Sequence, residues 1–282
     1  MNGERSAELR ALLRLTPDEI REQAGERLIV CADVDALHLR MAHDLFTEIA
    51  QSAAAGQPLR LILPVGPIGQ YPLLAQLLNE QRVPLDRCWF FFMDEYCDVQ
   101  GRALHADHPL SFKRVARQLF LHRLDARLGL RPEHVVFPDE HNIDTLARWI
   151  DEAGGIDTCY GGIGIHGHVA FNEPEPGVAQ LSCRRVRLND YTVTLNAIRA
   201  GVGGALPLFP REAYTLGMRE ILAARRIRLY CRNGVALDWA NAVLRVALLG
   251  APGDDYPVTH IRPLDYSIFT DEATLASPQH LI

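Results

Sequence analysis

Cysteine pairing is missing from this 282-residue sequence. Its six cysteines (Cys31, Cys88, Cys97, Cys159, Cys183 and Cys231) are scattered, and no two form a C-x-x-C pair. Zinc-ribbon and thioredoxin-type sites fail on that spacing, so the expectation is reduced, mostly buried thiols. No apolar run is long enough to span a bilayer. The opening stretch, MNGERSAELRALLRL, is charged and lacks the apolar core of a secretory signal. A basic excess is absent too: the formal net charge is -6 and the pI about 6.0, which argues against gripping a nucleic-acid backbone. These absences predict a soluble, cytoplasmic protein with no membrane or nucleic-acid partner. They leave room for a small anionic ligand, which a local arginine cluster or helix N-terminus binds whatever the net charge.

The sequence does have enough apolar material, 48% of residues, for one large α/β domain or two small ones sharing a core. Residues 1–25 read as one or two short amphipathic helices, an N-terminal extension ahead of a domain spanning 26–282. Thr16 is the expected N-cap of the second, with Pro17 at the first helical position and Glu19 closing a capping box. Strands are expected at 27–31, 59–64, 87–93, 134–137 and 156–164, then at CRRVRLN, AYTLGM, 225–232 and 266–270. Helical patterns lie between most of them, including one through GVALDWANAVLRVALLG from Gly234 to Gly250. The run from Trp89 to Met93 is apolar on both faces and suits the interior of a covered parallel sheet. The alternation predicts a single-domain α/β fold, an open and mostly parallel sheet with helices on both faces.

Ligands in such folds sit beyond the carboxyl ends of the strands. Three predicted strand ends carry unusual residues: PVGPIGQ after residue 63, MDEYCD after residue 92 and GIHGHVAFNEP after residue 163. Asp94 follows a wall of aromatic residues. There it reads either as a partly desolvated carboxylate, and so a better base at neutral pH, or as a turn cap. His166 and His168 form an H-x-H pair, half of a metal site, but further ligands at metal spacing are lacking, so acid–base chemistry is favoured over metal binding. Glu173 is placed to orient a histidine. The loop after residue 63 has the position of a phosphate cradle without its composition: no hydroxyl occurs among residues 64–70, and neither the dinucleotide fingerprint nor a P-loop lysine is present.

Taken together, these motifs resemble the glucosamine-6-phosphate deaminase (isomerase) family. The matching residues are Met93-Asp94-Glu95-Tyr96, His108-Pro109-Leu110-Ser111-Phe112, GGID at 154–157 and GIGIHGHVAFNEP at 162–174. The F-N-E-P ending separates this branch from the related 6-phosphogluconolactonases. The resemblance implies a Rossmann-like fold, no cofactor and a reaction in which an amino sugar phosphate is ring-opened, isomerised from aldose to ketose and stripped of ammonia. It places Asp94 as the base that moves a proton between C1 and C2, His168 as the ring-opening histidine, Glu173 as its carboxylate partner and His166 beside them. Substrate contacts are expected from Gly66, Ile68, Gly69, Glu95, Gly162, Ile163, Gly164, Gly167, Arg184 and Arg199. The family often forms oligomers, which raises the expectation of a homo-oligomer.

Three departures stand out. His166 replaces the family's aspartate and should lower the basicity of His168. Val65-Gly66-Pro67-Ile68-Gly69 replaces a hydroxyl-rich phosphate loop. Gly234 stands where the family has a phosphate-contacting lysine, and Arg199 is one residue late for its phosphate-contacting arginine. The expected function is therefore a sugar or amino-sugar isomerase or deaminase with an altered substrate. A non-catalytic sugar-binding homologue is the alternative, and lactone hydrolysis comes third.

Overall fold

The computed structural model describes residues 3–234 and 239–280. Ten strands are present among them: β1 Leu28–Cys31, β2 Leu59–Leu63, β3 Cys88–Phe92, β4 Asp94–Cys97, β5 Val135–Val136, β6 Thr158–Gly162, β7 Arg184–Arg187, β8 Glu212–Thr215, β9 Arg226–Tyr230 and β10 Tyr266–Asp271. The α-helices are α1 Gly3–Leu13, α2 Pro17–Ala24, α3 Val34–Ala54, α4 Gln70–Glu80, α5 Phe112–Leu119, α6 Ile143–Glu152, α7 Asp190–Arg199, α8 Met218–Leu222, α9 Ala240–Leu249 and α10 Glu272–Leu275. Part of the helix predicted from Gly234, residues 235–238, lies outside the described residues.

Seven strands form one parallel sheet in the order β1-β10-β9-β6-β2-β3-β5. Alternation along β3 shows how both faces are covered. Phe90 and Phe92 join the core beneath α3, α4 and α5, while Phe91 and the following Met93 join the core beneath α6, α8 and α9. All three phenylalanines have no exposed surface. Fully burying such a ring stabilises the fold by about 1.5–3 kcal/mol relative to leaving it exposed.

The sequence pattern missed β4. Asp94–Cys97 reads as a polar loop, yet it is a fully buried strand that pairs antiparallel with β8, which in turn pairs with β7. CRRVRLN and AYTLGM therefore belong to a separate three-stranded antiparallel sheet. Tertiary pairing overrides local polarity here, because this small sheet caps the carboxyl edge of the large one and leaves β4 no face to solvent.

The helix starts obey their caps. Thr16 Oγ1 accepts from the Glu19 N–H at 3.3 Å, and the Glu19 carboxylate accepts from the Thr16 N–H at 2.8 Å. Asp33, Ser111 and Asn189 cap α3, α5 and α7 through side-chain oxygens. The N-terminal helices are held by a fully buried arginine. Arg245 donates to the carbonyls of Leu15, Asn241, Leu275 and Ala276, so its charge is satisfied by backbone rather than by a carboxylate.

Candidate active site

Strand order gathers the site. β9, β6, β2 and β3 are consecutive in the sheet, so the segments leaving their carboxyl ends meet over one edge. After β2 comes the 64–69 loop, after β6 the 162–168 loop, after β3 Asp94, and after β9 Arg232. Asp94, His168, Gly66, Ile68, Gly162, Ile163, Gly164 and Arg199 line a cleft of about 330 Å³, with Met93, Tyr96, Phe112, Ala170, Phe171 and Asn196. An adjoining hollow is lined by Gly66, Pro67, Ile68, Arg199, Tyr230, Arg232 and Gly234.

Two of the glycines are required by close approach. A Cβ on Gly162 would collide with the Gly66 carbonyl oxygen, and one on Gly164 would collide with the His168 imidazole. The two loops thus touch backbone to backbone, which a side chain would prevent. Ala170, at the cleft wall, holds a φ of 53°. That left-handed conformation costs an alanine about 1–2 kcal/mol.

Asp94 is 7% exposed, and its carboxyl has no hydrogen-bond partner among the described residues. Burial, then the charge of neighbouring Glu95, pushes its pKa up to about 8. It caps no turn, since it lies in β4. His168 is set into the cleft wall beside Gly164, with Nδ1 buried and unpartnered. Burial first, then the charges of His166 and Arg199, lowers its pKa to about 3. A neutral imidazole and a carboxyl with a pKa pushed up to about 8 therefore line the same cleft.

Several expected residues stand elsewhere. Glu95 is not a substrate contact: its carboxylate accepts from Ser111 Oγ and the N–H groups of Phe112, Lys113 and Tyr96 at 2.8–3.0 Å, so it anchors the start of α5. Arg184 is also away from the cleft. It is held by the Glu175 carboxylate at 2.5 Å and by Asn172 Oδ1 at 2.8 Å. Glu173 makes no hydrogen bond to His168. Its Oε2 accepts from the Asn189 N–H at 2.7 Å, where it meets the N-terminus of α7, and Oε1 is buried without a partner. Burial raises its pKa against the lowering effect of these donors.

His166 is half-buried behind the cleft wall, edge-on to Tyr191, with Nδ1 3.5 Å from the Asn189 amide nitrogen. Burial lowers its pKa. It reaches the cleft only through its effect on His168. Gly69 is the N-cap of α4 and packs on the His38 ring, and Gly167 is a turn residue with φ 66° against Tyr256 and Val258. Neither lines the cleft. Among the described residues no group of three or more His, Cys, Asp or Glu is placed to hold a metal ion.

Residue-by-residue motif matching missed Arg232, Tyr96 and Asn196 as cleft groups. Arg232 was two positions from the glycine that takes the lysine's place, so the signal was there as a nearby cation. Neither Arg199 nor Arg232 has a carboxylate partner among the described residues. Arg199 lies over the Trp239 ring, 5.5 Å from its centroid. Solvent reaches one side of Arg199, while desolvation on the other and then the charge of Arg232 lower its pKa. The Arg232 loop is fixed from behind. Asn233 bonds to Asn241, and its N–H donates to Thr274 Oγ1 at 2.9 Å.

No protein-family model matches the sequence. The chain is 32% identical over 261 residues to a glucosamine-6-phosphate deaminase from Porphyromonas gingivalis, across 88% of this chain and 92% of that protein. Among solved structures, a monomeric glucosamine-6-phosphate deaminase of the NagB superfamily has a TM-score of 0.76 at 22% identity, over 88% of this chain and 98% of the other. A 6-phosphogluconolactonase from Thermotoga maritima has a TM-score of 0.63 at 18% identity, over 86% and 99%.

Proposed function

The chain belongs to the glucosamine-6-phosphate deaminase family, and from that premise we propose that it isomerises and deaminates an amino sugar phosphate. The observation that carries this reading is the pairing of two unlike subsites in one cleft. Asp94, His168 and Arg199 line the cleft, and Arg199 also lines the adjoining hollow together with Arg232; neither guanidinium has a carboxylate partner among the described residues. Unpaired cations beside a cleft cost free energy unless an anion completes them. Lys113 is the only lysine in the sequence and lies on α5 outside this cleft, so arginines carry the anion site. Arg232 takes over the charge lost at Gly234, which favours a phosphorylated substrate over a free sugar.

The steps follow from the protonation states. The sugar binds with its phosphate toward Arg199 and Arg232. Neutral His168 transfers the proton that opens the ring. Ionised Asp94 removes the proton from C2 of the open aldose, O1 takes up a proton, and Asp94 returns its proton at C1; the imine left at C2 is hydrolysed by water, which supplies the ketone oxygen and releases ammonia. The backbones of Gly66, Gly162 and Gly164 line the cleft in which the sugar would lie.

The test compares glucosamine 6-phosphate, glucosamine and 6-phosphogluconolactone. Ammonia release and solvent-deuterium uptake at C1 of the ketose product are expected with the first and not with the second. Turnover of the free amino sugar alone would show that the two arginines serve something other than substrate phosphate. Lactone opening is the second reading, favoured by the likeness to the solved 6-phosphogluconolactonase. It predicts acid release from the lactone and no deuterium uptake.

A further inference from the structure

We propose that Tyr96 is a further catalytic residue, donating a hydrogen bond to the substrate oxygen that gains charge as the proton leaves carbon. The inference rests on the proton-transfer reading above. Asp94 and Tyr96 are two residues apart on β4, and residues i and i+2 of a strand project from the same face. Both line the cleft. Tyr96 is 3% exposed, and its ring is fixed by Phe112, Phe171 and Phe209 at centroid distances of 4.7, 5.4 and 5.5 Å.

The direction of its proton follows from its partners. A phenol has one O–H to donate and a lone pair to accept with. The Tyr96 oxygen accepts from Asn196 Nδ2 at 3.1 Å, so the acceptor side is occupied. Among the described residues its O–H finds no acceptor of its own, and Tyr96 lines the cleft. Asn196 comes from α7, one turn before Arg199, and lines the same cleft. The helix that carries an anion-binding arginine thereby also aims the phenol. Burial first, then the charge of Asp94, raises the Tyr96 pKa, so the phenol keeps its proton throughout.

The step balances without moving that proton. Asp94 takes the hydrogen from C2 of the open aldose. The C–H pair becomes the C1=C2 bond, and the carbonyl pair moves onto O1. Tyr96 holds O1 by a hydrogen bond whose strength grows as the charge develops, which is what lowers a barrier rather than merely tightening binding.

Tyr96→Phe keeps the ring packing and removes only the O–H. With glucosamine 6-phosphate, its kcat should fall about 100–1,000-fold, as for loss of one oxyanion donor, with KM within threefold and an unchanged melting temperature. Deuterium uptake at C1 of the product should fall in parallel, and the pH profile should keep the Asp94 limb. Asn196→Leu leaves the phenol in place but unaimed, and should lower kcat by up to about tenfold, the worth of one neutral hydrogen bond. A Tyr96→Phe protein with wild-type kcat would overturn the proposal. Should Tyr96→Phe melt far below the wild type, the decision passes to Asn196→Leu, whose full kcat would overturn it equally. A wild type that shows no deuterium uptake would instead sink the isomerase reading, and this inference with it.

Discussion

Asp94 and Glu95 are adjacent on β4, yet one carboxyl lines the cleft without a partner while the other accepts three hydrogen bonds at the start of α5 and one from the Tyr96 N–H. The two-residue period of a strand sends neighbours to opposite faces. One acidic pair is thereby divided into a titrating group and a structural anchor, and the anchored charge helps raise the pKa of the free one. The same division governs how each should respond to substitution.

Asp94→Asn should lower turnover about 100–10,000-fold, the usual loss on removing a general base. The wild-type kcat/KM should rise with pH until Asp94 is ionised near 8. Stability should move the other way. Raising an acid's pKa on folding gives stability that is whole below 3.8 and lost as pH climbs to about 8. Asn does not titrate, so the variant should gain on the wild type across that window. Thermal melts of both proteins from pH 4 to 9 check this, and parallel curves would mean that Asp94 titrates normally.

His168 should destabilise the protein in acid. Its pKa falls from 6.5 to about 3 on folding, so stability present above 6.5 is lost as pH drops toward 3. His168→Gln should flatten that decline in urea titrations at pH 4 and pH 7. His166→Asp exchanges a neighbour that can become positive for a negative one, and should raise the His168 pKa when its imidazole is followed by NMR.

Arg232→Met should weaken binding of glucosamine 6-phosphate about 10–100-fold, the worth of one charge-assisted hydrogen bond. Binding of unphosphorylated glucosamine should be unaffected. Arg184→Ala is the control: its guanidinium is committed to Glu175 and Asn172, so calorimetry should find the same affinity as in the wild type. A large loss on replacing Arg184 would reverse the assignment of the anion site.

Glu95→Ala should cost about 2–4 kcal/mol of stability, since it strips a buried acceptor from Ser111 Oγ and three backbone N–H groups. Chemical denaturation midpoints measure it. A variant as stable as the wild type would show that water replaces the carboxylate at those donors.

Local pattern was enough to read the alternating strands and helices, the Thr16 capping box and the apolar β3. Each rests on neighbours in the chain: periodicity, cap chemistry and burial on both faces. Strand-end position drew attention to Asp94 and to the pair His166 and His168, and the family resemblance singled out Asp94 and His168 among them. What a side chain does with its partner is a different matter, because partners come from distant segments. Strand order alone brought Arg232, after β9, into the hollow adjoining a cleft whose walls leave β6, β2 and β3. Antiparallel pairing with β8 turned a polar stretch into β4, turned Glu95 away from the cleft and aligned Tyr96 with Asp94. Ion pairing withdrew Arg184, and the start of α7 engaged Glu173. The chain's own order determined which chemical groups were on hand. Only long-range packing decided which of them were left unpartnered, because a polar group is free to act on a ligand only where folding has not already satisfied it.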